Sequence, residues 1–322
     1  MSVTEVAVAG LGIVAPGVSG PGDALGAAGE ARAGWFRADV ALPGRGYRRL
    51  PDACKYLLAA SRLAVGDAGE RFAKVERNRR AAVVGINNTG ASLLDELDRL
   101  IIEDRADEMS PSASPFIAMS SYAGRLSTEH DVTGFNLTVN SPVTAGLEAL
   151  RIAARAMAAG RARAVLVGAV EEALSPAQAT GPATEAGAVV LHCEPVTSGE
   201  ARYGTCGVRA AFLDPARAGT DAGAVLTELL GTDPPPRIDA VLDDSPPGTA
   251  AARHLDRLTD AYGVDVVVVP SSAQAGCLTP LRRVLGLFAQ EHPAPARRGV
   301  LAVSALGTLA FAELTVVPRT RP

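Results

Sequence analysis

The sequence has few cysteines, no long run of positive charge and no unbroken hydrophobic segment of membrane-spanning length. Cysteine occurs four times in 322 residues, at Cys54, Cys193, Cys206 and Cys277, and no two of them form a CxxC pair. Scattered thiols are typical of a reducing compartment and do not suggest a disulfide framework. We therefore expect a cytoplasmic protein. A chain of this length can bury a sufficient core without disulfides or a structural metal.

The charge pattern and the hydrophobic pattern exclude two classes of partner. The formal net charge is −4 at pH 7, and binding of a phosphate backbone needs a concentrated positive patch, so we expect no nucleic acid partner. The N-terminal residues lack the basic region of a secretory signal. The most membrane-like stretch, residues 300–317, is interrupted by Ser304, Gly307, Thr308 and Glu313. This pattern predicts two buried strands joined by a tight turn, and no membrane span.

The sequence contains a regular alternation of strand-like and helix-like segments. The strand-like segments are residues 6–14, 81–86, 135–139, 164–170, 238–242, 264–269 and 299–305. The helix-like segments are residues 55–68, 92–103, 115–127, 143–159, 250–262 and 278–290. Strands that alternate with helices at this rhythm predict an α/β fold whose mainly parallel sheets are covered on both faces.

Two parts of the chain follow the same order of elements. Val143 opens a helix whose next strand begins near Ala164, and Cys277 opens a helix whose next strand begins near Gly299. This similarity predicts a duplicated fold with lobes over residues 1–173 and 174–322, although any α/β chain contains several such units. In a duplicated fold the two helix N-termini would point at one central site, where the helix dipole favours anions and thiolates.

A glycine pattern near the N-terminus matches only part of a dinucleotide-binding motif. Gly10 and Gly12 follow the first strand-like segment. The full motif needs a helix that begins within it and presents its N–H groups to a pyrophosphate. Pro16 and Gly17 come next, so we expect no such helix and no nicotinamide or flavin cofactor.

Several segments together carry a resemblance to a known family. They read VAGLGIVAPG at residues 8–17, SPFIAM at 114–119, TGFNLTVNSPVTAGLEA at 133–149, GRARAVLVGAVEE at 160–172 and TEAGAVVL at 184–191. The last three, in this order and at this spacing, are the specific part. Together the segments resemble the β-ketoacyl synthase family of the thiolase superfamily. The resemblance implies a thiolase-like fold of duplicated α/β lobes, with two mixed sheets and helices in layers.

The catalytic groups that this resemblance implies are all replaced here. The family has a thiol, two histidines and a lysine, and their positions in this chain are Val143, Ser245, Cys277 and Ser272, in that order. Valine carries no nucleophile, and neither serine nor cysteine replaces imidazole as a hydrogen-bond donor to an enolate near neutral pH. We therefore predict that the chain has no catalytic residues for condensation and no condensing activity alone.

Some members of this family act without catalysis of their own. The chain-length factors of type II polyketide systems pair with an active synthase and shape its pocket. This chain is similar to them, although it has Val143 where those often carry glutamine, and it is shorter between residues 175 and 184 and near 216–227. The resemblance implies a heterodimer with a full-length β-ketoacyl synthase, which meets an acyl carrier protein. It implies no cofactor beyond phosphopantetheine-linked acyl chains on that carrier.

We expect five residues of this chain to line the acyl pocket: Leu97, Leu100, Phe116, Val143 and Cys277. Leu97 and Leu100 belong to an apolar stripe of the helix-like segment 92–103, and plain core packing also produces such a stripe. Cys277 at a helix N-terminus has two interpretations, a reactive thiol or a small buried hydrophobic residue.

Two other functions remain open at this point. The chain would be an enzyme of changed chemistry, such as a hydrolase, acyltransferase or cyclase, if Ser245 or Cys277 were its reactive group. It would be a self-associating scaffold or a carrier-protein-binding module if neither residue reacts and no synthase binds it.

Overall fold

The computed structural model describes residues 3–27, 29–32, 34–109, 114–174, 178, 185–196, 201–271 and 276–318. The strands are β1 Glu5–Val14, β2 Arg80–Ile86, β3 Asn136–Asn140, β4 Ala164–Glu171, β5 Gly187–Pro195, β6 Gly204–Phe212, β7 Arg237–Leu242, β8 Asp265–Pro270, β9 Ala296–Val303 and β10 Thr308–Val316. The helices are α1 Ala38–Ala41, α2 Asp52–Ala68, α3 Ala91–Ile102, α4 Ser120–Glu129, α5 Ala145–Ala158, α6 Ala218–Leu230, α7 Pro246–Tyr262 and α8 Leu278–Ala289.

The second half of the sheet has the same strand order as the first half, read in the opposite direction. Its ten strands run β3-β2-β4-β5-β1-β6-β10-β9-β7-β8. The first five have the same neighbours and the same parallel or antiparallel directions as the last five. The two predicted mixed sheets are these halves, and the antiparallel pairing of β1 with β6 joins them. Along the chain, the first half of the sheet ends with β5 and the second half begins with β6. The predicted lobe boundary after residue 173 stays a prediction.

Helices cover both faces of each half of the sheet. Helices α5 and α8 contact strands of both halves and share the largest apolar cluster with them. Helices α2 and α4 pack on the outer face of the first half, and α6 and α7 pack on that of the second. The layers therefore run helix, sheet, helix, sheet, helix, which confirms the mixed α/β architecture with helices on both faces. The expectation of mainly parallel sheets is wrong, because five of the nine strand pairings are antiparallel.

The glycine pair near the N-terminus has a packing role. A Cβ at Gly12 would lie 2.0 Å from the carbonyl oxygen of Ala60, and a Cβ at Gly10 would lie 2.2 Å from that of Ala64. No side chain fits at such distances. The two glycines therefore allow the backbone of α2 to lie directly against β1.

The hydrophobic stretch near the C-terminus forms two strands, as predicted. Strands β9 and β10 pair antiparallel, and Gly307 in the turn between them has a φ of +88°. Within the described residues, no helix combines the length and the apolar character that crossing a bilayer requires.

The observed elements differ from the prediction in two places. The helix expected over residues 115–127 begins only at Ser120, because Ser114–Ile117 forms a separate 3-10 turn. Strand β6 and helix α6 were not predicted, and α6 overlaps the region near residues 216–227 where the sequence suggested a shortened chain.

Candidate functional site

The N-termini of α5 and α8 meet at the centre of the molecule. A Cβ at Gly146, in the first turn of α5, would lie 3.1 Å from the carbonyl oxygen of Cys277 and 3.0 Å from the Cβ of Leu281 in α8. Val143 and Cys277 both belong to the apolar cluster between the two halves of the sheet. The structure therefore brings these two sequence-predicted positions into one central region.

Val143 lies in a sharp turn between β3 and α5. Its φ is +62°, and its side chain is 1% exposed. The left-handed region is unfavourable for a β-branched residue, at a cost of about 1–3 kcal/mol. A strand, a strained turn and a helix in succession are the geometry that presents a nucleophile in several enzyme families. The backbone keeps that geometry, while the side chain offers no nucleophilic atom.

Polar contacts on both sides of Val143 hold this turn. The hydroxyl groups of Ser141 and Thr144 lie 2.9 Å apart, and the Thr144 hydroxyl donates to Oε1 of Glu148 at 2.6 Å. The backbone N–H of Ser141 donates to the carbonyl oxygen of Ile86 at the end of β2. Because these contacts fix the residues around Val143, the strain at its backbone is supported by the neighbouring structure.

Glu171, the last residue of β4, fills the space in front of α8. Its carboxylate accepts hydrogen bonds from the backbone N–H of Cys277 and that of Asn88, at 2.8 Å each. The side chain is fully buried, and this burial raises the pKa of its carboxyl to about 7. A Cβ at position 276 would lie 2.3 Å from Glu171, so only glycine fits there.

A second carboxylate completes the cap of α8. Glu185 accepts hydrogen bonds from the backbone N–H groups of Leu278 and Thr279, at 2.9 Å each. Unsatisfied N–H groups and the helix dipole make a helix N-terminus attractive to anions. Here the chain's own carboxylates take that place. A substrate oxyanion at this helix end would have to displace Glu171 or Glu185.

The structure gives Cys277 the environment of a buried, protonated thiol. Its side chain has no exposure. Burial, followed by the negative charge of Glu171, raises the pKa of the thiol well above its usual value. Reactive thiols have a lowered pKa and an accessible sulfur atom. The helix N-terminus therefore does not activate this cysteine.

Ser245 has a local role at the start of α7. Its Oγ accepts a hydrogen bond from the backbone N–H of Gly248 at 3.3 Å and donates one to the carboxylate of Asp243. Such a residue is an N-cap, which satisfies a free N–H group of the helix. Across the residues that the structure describes, the contacts of Ser245 include no imidazole. Ser272, the other predicted degenerate position, lies outside the described residues.

The remaining predicted pocket residues lie in other parts of the first half. Leu97 and Leu100 are each 7% exposed on α3. Phe116 packs edge-on against Tyr122, with 5.6 Å between the ring centroids, and belongs to the apolar cluster on the outer face of the first half. The five predicted pocket residues are therefore spread over several layers, and their contact with an acyl chain stays a prediction.

Sequence reasoning missed the two carboxylates that cap α8. Glu171 directly follows the strand-like segment 164–170, and Glu185 lies in the segment 184–191 that carries part of the family resemblance. Neither observation indicates where a carboxylate points. Their signal was indirect. Two acidic residues, Glu171 and Glu172, come directly after the apolar residues 164–170. A carboxylate at the buried end of a strand needs hydrogen-bond donors, and the N–H groups of a helix N-terminus can supply them.

Six exposed apolar side chains lie on α3, on the segment that follows it and on the edge strand β3. They are Leu94, Ile101 and Ile102 of α3, Ile117 and Met119 of the following turn, and Leu137 of β3. We call these six residues the α3–β3 face. Strand β3 is an end strand of the sheet. Asn140 at its end donates a hydrogen bond to the sulfur of Met119, which connects the strand to the turn.

Comparisons with solved structures identify the fold. An ishigamide ketosynthase/chain length factor structure aligns with a TM-score of 0.74 at 21% identity, over 98% of this chain and 99% of that chain. A type II polyketide acyl carrier protein in complex with its ketosynthase aligns at 0.73 and 16% identity, over 98% and 100%. An oxazolomycin ketosynthase domain of Streptomyces albus aligns at 0.66 and 14% identity, over 99% and 76%. These similarities show a thiolase-like ketosynthase fold.

Comparisons of sequence identify the family. The chain is 28% identical over 122 residues to 3-oxoacyl-[acyl-carrier-protein] synthase 2 of Vibrio harveyi, which covers 38% of this chain and 29% of that protein. The corresponding Vibrio cholerae protein is 29% identical over 122 residues, covering 38% and 30%. The match thus spans less than a third of these relatives. The β-ketoacyl synthase N-terminal domain matches residues 27–194, more than half of the sequence, and the chain therefore belongs to the β-ketoacyl synthase family.

Proposed function

We propose that this protein is a non-catalytic ketosynthase-like subunit of the chain-length-factor type. It pairs in the cytoplasm with an active β-ketoacyl synthase and shapes the acyl pocket of that enzyme. The observation that carries the proposal is Val143, whose φ is +62° and whose side chain is buried in the turn between β3 and α5. We call this turn the elbow. The strained backbone of the elbow costs conformational free energy, and the valine side chain cannot act as a nucleophile. The elbow therefore supports a role for the fold itself and not for catalysis at this position.

The other replaced positions support the absence of condensation chemistry. Ser245 caps a helix and contacts a carboxylate, and Cys277 is buried with a raised pKa. Condensation needs donors that stabilise the enolate formed by malonyl decarboxylation, together with a nucleophile that holds the acyl chain. The same two observations weigh against an enzyme of changed chemistry that uses Ser245 or Cys277, because neither side chain is both accessible and activated.

The α3–β3 face supports the proposed pairing. Strand β3 pairs on one side with β2, and Leu137 at its centre is 43% exposed. An edge strand with exposed apolar residues is a surface that another strand can extend. We expect β3 to pair with the corresponding strand of the synthase subunit across a two-fold axis, with the apolar residues of α3 beside it. An interface of this obligate kind would bury more than about 2,000 Å².

Pairing is the step to test first, with candidate β-ketoacyl synthases as the partners. Co-expression followed by size-exclusion chromatography with mass analysis should give a heterodimer, to which the acyl carrier protein then binds through its phosphopantetheine-linked acyl chain. Leu137→Arg should separate the subunits. Val268→Arg is the matched control, because Val268 is 53% exposed on β8, the strand at the opposite edge of the sheet.

Two results would contradict the proposal. The first is a wild-type chain that remains monomeric at micromolar concentration and associates with no synthase. The second is a heterodimer that Leu137→Arg and Val268→Arg weaken equally, since the α3–β3 face would then have no special part in it. A homodimer that ignores every synthase would favour the scaffold function.

A further inference from the structure

We propose that a groove away from the elbow binds an oxyanion that carries an apolar chain, such as a fatty carboxylate or an alkyl phosphate. The groove has a volume of about 820 Å³ and lies between Val3 and Thr4, which precede β1, helix α5, strand β6 and helix α6. Small-molecule sites commonly have volumes of about 300–1,000 Å³. The inference is independent of the proposed pairing, because neither α3 nor β3 takes part in the groove.

Two arginines of α5 supply the positive charge of the groove. Arg151 and Arg155 both line it. They are four residues apart on one helix, so their Cβ atoms are about 5–6 Å apart on the same face. The Nε of Arg151 is buried and has no hydrogen-bond partner. Among the described residues, no carboxylate forms an ion pair with either guanidinium. Two unpaired guanidinium groups side by side suit a carboxylate or a phosphate, which accept paired N–H donors.

The other charged residues of the groove are balanced or exposed. Arg209 is held by Glu313 at 2.6 Å and lies over the ring of Phe311 at 5.3 Å, so its charge is already compensated. Glu228 also lines the groove and is exposed. Its negative charge opposes an anionic ligand, and its removal should therefore strengthen binding.

Apolar side chains form the rest of the groove wall. Val208 and Leu229 are 6% and 3% exposed, while Phe212 is 65% exposed. An exposed phenylalanine beside a charged groove gives an apolar chain a surface to cover, and burial of that surface favours binding. An inorganic anion would use the arginines alone, whereas an amphipathic anion would use both parts of the groove.

Isothermal titration calorimetry of the full chain tests this site with octanoate, octyl phosphate and inorganic phosphate. The amphiphile that binds more tightly identifies the preferred head group. We expect the affinity for inorganic phosphate to be lower than that for octyl phosphate by a factor of about ten or more. Arg151→Ala with Arg155→Ala should lower the affinity about tenfold or more, because each removes charge-assisted hydrogen bonds. Glu228→Gln should raise it.

Two further variants keep the test decisive. Arg155→Ala alone alters an exposed position and should still weaken binding if the double variant fails to fold. Arg257→Ala changes an exposed arginine of α7, outside the groove, and should leave the affinity unchanged. The proposal fails if neither amphiphile binds at millimolar concentration, or if Arg155→Ala and Arg257→Ala bind them as the wild type does.

Discussion

The backbone N–H of Cys277 donates a hydrogen bond to Oε1 of Glu171 at 2.8 Å, and this contact joins the two halves of the fold. Glu171 ends a strand of the first half, and Cys277 precedes a helix of the second. The N-terminus of α8 is therefore capped by a carboxylate from the other half of the fold. This arrangement gives the protein a pH dependence that can be measured.

The stability of the wild type relative to Glu171→Gln should fall as the pH rises. Burial raises the folded-state pKa of Glu171 to about 7, above the unfolded value of about 4.3. The folded state therefore holds its proton more tightly, and stability is lost between these two pKa values. Urea unfolding should show that the free energy of unfolding of the wild type, relative to that of Glu171→Gln, falls by up to about 3 kcal/mol as the pH rises from 4.5. The relative value should then stay constant up to pH 8. Parallel curves for the two proteins would contradict this assignment.

The backbone at Val143 predicts an unusual order of stability. Glycine adopts a positive φ without strain, so Val143→Gly should be more stable than Val143→Ala by about 1 kcal/mol. Val83 is the control, because it is fully buried in the regular strand β2. There the order should reverse, with glycine less stable than alanine by about 0.5–1 kcal/mol. Denaturant unfolding measures both pairs. The same order at both positions would show that the elbow is not strained.

Part of this arrangement could be predicted from the sequence, and part could not. The alternation of apolar strands and helices predicted most elements, and the internal similarity predicted that Val143 and Cys277 open related helices. Strand β6 was missed because it reads GTCGVRAAF, in which Gly204 and Gly207 interrupt the alternation of β-branched residues. Glycine is a poor strand former, so only pairing with β1 and β10 reveals this strand.

The site was harder to predict than the fold because it depends on contacts between distant residues. The carboxylate of Glu171 meets a helix that begins more than a hundred residues later, and no local pattern encodes such a contact. The burial of Cys277 has the same origin. A helix N-terminus normally lowers the pKa of a thiol, but tertiary burial and a neighbouring carboxylate reverse the direction here.

Purified wild-type protein should form no carbon–carbon bond between acyl and malonyl carrier proteins. Val143→Cys should not restore this activity. A thiol at that position has no imidazole to take its proton, and enolate stabilisation would still be missing. Mass spectrometry of the carrier-bound products measures the outcome, with the paired active synthase as the positive control. A condensation product from either isolated protein would refute the non-catalytic assignment.

The thiols of the native protein should be unreactive at neutral pH. All four cysteines are buried, and burial raises the pKa of Cys277 well above its usual value. An acyl thioester or a disulfide reagent should therefore label Cys277 only after denaturation, which provides the control for complete labelling. Peptide mass mapping locates any adduct. Stoichiometric acylation of native Cys277 would instead favour an enzyme of changed chemistry.

Helix α3 offers a test of how the protein shapes the pocket of its partner. Leu97 and Leu100 are nearly buried, while Ile102 on the same helix is 84% exposed. If the two leucines close the end of a shared acyl tunnel, Leu97→Ala or Leu100→Ala would leave space for roughly two more carbons, because cavities in packed interiors collapse only partly. We expect the reconstituted pair to make longer chains with these variants and unchanged products with Ile102→Ala. Product profiles, read together with unfolding curves, separate this role from plain packing. A loss of about 2–5 kcal/mol with an unchanged product would assign the leucines to the core alone.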